Sequence, residues 1–243
     1  MTRQAFNWSA LNRDELYSML YSLKPEIVDR RLPIGEITRQ LSKHIKAHLP
    51  IKVVSNRHKP VKSGEIWIGG AYYSDDDKQG KKRFIEVELA FPTDTKTMKT
   101  SSYRWERICT LFADTILHEI IHTRQYRARN FKDLPGYEST AYYAKDRAWQ
   151  EYYGHRDEIG AHSFNLAQDM LDKFGWDPKA IRDYLDSKVP KRVCPTNGWG
   201  RFMKSFDYDH AHPKVRQMKH KIMTQLENAW YGKPFKTSNY LTY

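Results

Sequence analysis

Apolar positions along this chain recur in two rhythms, and each rhythm lays out its own kind of element. From Trp105 through Ile108, Cys109, Phe112, Ile116, Leu117, Ile120 and Ile121 the steps are three and four residues, with no Pro or Gly between Tyr103 and Asn130. That pattern predicts a long helix over 103–129, capped by Ser101 or Ser102, with Arg124, Arg127 and Arg129 where the helix dipole is negative. Leu11, Leu16, Met19, Leu20 and Leu23 predict a first helix over 10–23 ended by Pro25. Ile37, Leu41, Ile45 and Leu49 predict a second over 34–49 ended by Pro50, with a basic, solvated opposite face. β-Branched and aromatic residues mark strands at 51–55, 65–73 and 84–91; a basic turn over 56–62 follows the first, and the polar loop 74–83 joins the last two as a hairpin.

The second half returns to the helical rhythm. A loop with Pro135 and Gly136 spans 130–138 and leads to an aromatic-rich helix over 139–153, which Gly154 breaks. Ala161, Phe164, Leu166, Ala167, Met170 and Leu171 then form the stripe of another helix, with Glu158 at its head. Gly175 and Pro178 end that helix and start the next. Residues 189–200 are rich in Pro and Gly and read as a loop; Val215, Met218, Ile222 and Leu226 predict a last helix from Pro213 to about Trp230. Together the elements describe an α+β chain: a small antiparallel or mixed sheet with a hairpin, one long helix, and a helical C-terminal part. The expected organisation is N-terminal helices over 1–50, a core over 51–173, a helical extension of the same domain over 174–230 and a tail over 231–243.

Composition narrows this picture. With 243 residues, 40% of them hydrophobic and 14% aromatic, the chain can bury a substantial core without staples. Its two cysteines, Cys109 and Cys194, make no disulfide framework. No signal-type apolar stretch and no run of about 18 apolar residues occurs, so an intracellular, cytoplasmic protein without a membrane span is expected. The formal net charge of +12 favours anionic partners, either nucleic acid or an acidic protein. The basic residues are nevertheless spread along the chain, and no nucleic-acid motif organises them. Asp75, Asp76 and Asp77 lack the spacing of a calcium loop and read as solvated hairpin residues.

The stretch that carries chemistry is His118-Glu119-Ile120-Ile121-His122. On a helix, residues four apart share a face, so His118 and His122 can turn two imidazoles toward one ion while Glu119 lies on the same rim. Two neutral imidazoles and a third protein ligand are what a catalytic zinc requires, since its fourth position stays open for a water whose pKa falls toward about 7. A carboxylate beside that water can take its proton.

These five residues resemble the active helix of the zincin metallopeptidases. The longer metzincin pattern is absent, because Gln125 and Ala128 stand where its glycine and third histidine would be. The third ligand must come from elsewhere, and the downstream glutamate of the gluzincin branch is the expected source. Glu158, with Gly160 and Ala161 beside it, is similar to that element, and residues 158–167 fit the E-x-x-A-x-x-F-x-x-A stretch of small intracellular gluzincins that cleave repressor proteins. His155 and His162 share the face of Glu158 and are alternatives for the ligand; Glu138 and Glu151 are more distant ones. His162 would otherwise orient a group bound to the metal.

The resemblance implies a zincin-like fold, one Zn2+ held by His118, His122 and Glu158, Glu119 as general base, and a polypeptide substrate. It also implies a peptide-holding edge strand, drawn from 86–91 or 65–73. A residue that stabilises the oxyanion is implied too, with Tyr126, Tyr142, Tyr143 and His212 as candidates. His212-Pro213 resembles the His-Pro element of some gluzincins, although His210 and His212 read equally as a capping or surface pair. The competing expectation is a zincin-fold protein without turnover that serves a structural or binding role in a larger assembly, such as a virion, or in a nucleic-acid complex. A non-proteolytic zinc hydrolase is the third.

Overall fold

A computed structural model describes residues 11–56, 61–62, 65–134, 146–175, 177–186 and 197–230. Its residues group into two compact units, 1–123 and 124–243.

In the first unit, helix α1 (Arg13–Tyr21) begins at Asn12, whose side chain accepts the Glu15 N–H while the Glu15 carboxylate accepts the Asn12 N–H. Pro25, expected to end this helix, instead lies in the first turn of a short helix α2 (Lys24–Ile27), where its missing N–H costs nothing. After strand β1 (Arg31–Pro33), helix α3 (Ile34–His48) buries Ile34, Ile37, Leu41 and Ile45, as their spacing dictates. Strands β2 (Ile51–Asn56), β3 (Trp67–Tyr72) and β4 (Ile85–Ala90) form one sheet in the order β2-β4-β3, with β2 parallel and β3 antiparallel to β4. The expected hairpin is therefore β3 and β4. Of the two candidate edge strands, β4 is central, with Ile85, Val87 and Leu89 buried, and β3 lies at the edge.

The loop between them carries one helical turn, α4 (Ser74–Lys78), because its acids bond locally. Asp77 is buried and accepts from the Tyr72 hydroxyl (2.8 Å), and Asp76 pairs with Lys81 (2.6 Å). Strand β5 (Thr97–Lys99) pairs antiparallel with β1, a two-stranded sheet that three-residue segments do not announce in sequence.

Helix α5 (Ser102–Ala128) follows, with Ser101 Oγ accepting the Arg104 N–H. It buries Trp105, Cys109, Phe112, Ile116 and Ile120, and burial pushes the Cys109 thiol up to about 12. One turn before His118, Asp114 accepts two bonds from the Arg13 guanidinium (2.7 and 3.0 Å), tying α1 to this helix. α5 ends just before Asn130 and Phe131, which adopt positive φ.

The second unit is helical: α6 (Asp146–Gly154), α7 (Arg156–Phe174), α8 (Pro178–Asp186), α9 (Asn197–Ser205) and α10 (Pro213–Trp230). Its core joins Leu166, Met170, Ile181, Leu185, Trp199, Phe202, Val215, Met218 and Ile222. Helix α9 covers part of the stretch expected to be a loop. Trp199, Phe202, Met203 and Phe206 give it an apolar face, and Gly198 serves close packing: a Cβ there would come within 3.0 Å of Leu166 Cδ2. Residues 187–196 and the expected tail lie outside the described residues. Among the described residues no helix is long and apolar enough to cross a membrane.

Candidate metal centre

Helix α5 places the two histidines as its period requires. His118 and His122 are each 8% exposed, their ring centroids are 4.8 Å apart, and their Nε2 atoms approach to 3.1 Å. Two imidazole nitrogens at that distance either share a proton or aim their lone pairs at a common cation. Leu117, Ile120 and Ile121 are buried around them, which keeps the turn dry. Glu119 is also buried, and the Thr123 hydroxyl donates to its carbonyl (3.0 Å). Its side chain lies against the backbone of β3 at Gly70.

In the second unit the start of α7 is held as firmly. His155 is the N-cap, its Nδ1 accepting the Asp157 N–H at 3.3 Å. The Asp157 carboxylate accepts a hydrogen bond from Arg129 Nη1 (3.0 Å) and is ion-paired with Nη2 at 2.7 Å, and the Asp157 carbonyl accepts from Gln125 Nε2 (2.9 Å). Arg129 also stacks over the Tyr126 ring at 3.9 Å. Gly160 and Ala161 are buried beside Glu158, which is itself only 2% exposed. One turn on, His162 brings Nε2 to 3.5 Å from Glu158 Oε2 and packs against the rings of Tyr152 and Tyr153.

Donor atoms of His118, His122 and Glu158 lie within 4.8 Å of one another, so this group could hold a metal ion. Two imidazoles and one carboxylate, all buried, form a donor set suited to zinc, because they supply three ligands and leave one position for a water. Of the alternatives weighed from sequence, His155 is engaged as a cap, His162 lies one turn after Glu158 on α7, and Glu151 is exposed on α6. Glu138, Tyr142 and Tyr143 lie outside the described residues. Tyr126 is part-buried, which raises its hydroxyl above the ordinary value. His212 caps α10, its Nδ1 accepting the Lys214 N–H, and stacks on Phe206.

Sequence reasoning passed over Gly70 and Asp157, and gave Gln125 and Arg129 no part in holding the start of α7. No protein-family model, curated protein or solved structure matches the chain.

Proposed function

We propose that the protein is a zinc-dependent metallopeptidase of gluzincin type, with His118, His122 and Glu158 holding the ion. The observation that carries this reading is the approach of those three buried side chains to one another, on a helix whose intervening residue is a buried glutamate. Zinc, when bound, supplies Lewis acidity and lowers the pKa of a water from about 15.7 toward 7. Glu119 takes the proton from the attacking water at its carboxylate and hands it to the departing amine. His162, with Nε2 3.5 Å from Glu158 Oε2, is the imidazole nearest that carboxylate on α7 and would orient it by drawing closer. The buried Ile and Leu side chains around the helical turn exclude bulk water, which strengthens each of these interactions. The substrate is a polypeptide, and the basic surface favours acidic ones.

Replacing Glu119 by Gln keeps the shape and removes the base. In this reading Glu119→Gln retains the metal and loses hydrolysis of an unfolded polypeptide by a factor of about 10² to 10⁴. Full activity in that variant refutes the assignment. A wild-type protein that binds metal yet cleaves nothing, with or without chelator, supports the binding or structural role instead.

A further inference from the structure

Strand β3 contains adjacent glycines, Gly69 and Gly70, in the middle of an edge strand. Glycine weakens a strand interior, so a pair of them calls for a reason. Neither has positive φ, so the backbone conformation does not require them. The reason is space, and it differs between the two because successive residues face opposite sides of the sheet.

On one side, a Cβ at Gly69 would fall 2.0 Å from Cη2 of Trp67, whose indole folds across it. On the other, Gly70 sits opposite buried Val87, and a Cβ there would lie 2.6 Å from Oε1, 2.7 Å from Cγ and 2.9 Å from Cδ of Glu119. No real Cβ tolerates such distances. At Gly69 the obstruction is the outer part of an indole, and at Gly70 it is the Glu119 carboxylate with its Cγ, which must shift to admit a methyl group.

We infer that Gly70 is a positioning residue: its missing side chain is the seat of the Glu119 carboxylate, and strand β3 thereby fixes the direction in which that acid presents its oxygens. This rests on the reading of Glu119 as the base. A methyl group at residue 70 would occupy the room that the Glu119 carboxylate now fills. A misplacement of about 1 Å of a catalytic group costs on the order of 100-fold in rate. Gly69 is the internal control, since its alanine displaces only an indole on the opposite face.

The test compares wild type, Gly70→Ala and Gly69→Ala by crystal structure, zinc content, and kcat and KM on an unfolded polypeptide. The expected result is a displaced Glu119 carboxylate in Gly70→Ala alone. Its zinc content stays unchanged, kcat falls by about 10- to 100-fold and KM stays within about twofold. Gly69→Ala leaves the Glu119 carboxylate where it lies in wild type. An unmoved carboxylate in Gly70→Ala, or a wild-type kcat in it, overturns the inference. If the wild-type protein has no hydrolytic activity, the peptidase reading fails while the position of the carboxylate still decides the role of Gly70. Should Gly70→Ala not fold, Gly70→Ala/Glu119→Ala decides: recovery of folding supports the seat, and failure to recover overturns it.

Discussion

His118 and His122 differ from the other described histidines in what surrounds them. His155 and His212 each lend Nδ1 to the first turn of a helix, and His44 bonds the Met19 carbonyl and packs on His48. His210 is pressed by burial, and then by the neighbouring Lys219, to a pKa below its ordinary 6.5; the opposing pull of Asp209 and Asp186 is smaller. The unfolded chain therefore binds this proton at a higher pH than the folded one does. Stability from this group is intact above about pH 6.5 and is lost as pH falls from there through the folded value. Chemical unfolding at about pH 7 and 5 should show a drop in wild type that is smaller in His210→Gln; equal drops in both would contradict it. At this scale the motif pair was legible, because i and i+4 on a helix need no tertiary knowledge. The capping roles of His155 and His212 were not, because they depend on where the backbone leaves the helical conformation.

Elements were legible wherever an apolar stripe was long. α3, α5, α7 and α10 lie close to where their periodicity put them, since burial of one face decides a helix. α9 was obscured because Gly198 and Gly200 read as breakers, whereas Gly198 lets the helix approach Leu166 and Asp169. β1 and β5 were missed because three residues carry no period. The Arg129–Asp157 pair, which no periodicity reveals, fastens the turn just after α5 to the first turn of α7, with side chains 17% and 8% exposed. Breaking a pair that far from water strands one charge, so Asp157→Asn should cost about 3 kcal/mol in urea unfolding. The Lys179–Asp183 pair on α8, with side chains 86% and 63% exposed, is the contrast: Lys179→Ala should leave the urea-unfolding midpoint unchanged. Equal effects of the two substitutions would remove the brace from the account.

For the whole molecule, the sequence announced mixed α and β content, and the fold has small sheets and mostly helices, as read. The proposed third ligand was legible only in part: the stripe placed Glu158 on a helix, but no pattern in the sequence groups its carboxylate with His118 and His122. With no matching relative, the functional proposal stands on the chemistry of the side chains alone. Zinc content of the purified wild-type protein, set beside that of Glu158→Ala, tests it most directly. The account predicts about one zinc per chain in wild type, and an affinity in the variant reduced by more than the roughly 10- to 100-fold that loss of an outer-shell partner costs. A wild-type protein that holds no divalent metal, or a Glu158→Ala variant that binds zinc as tightly as wild type, would contradict it.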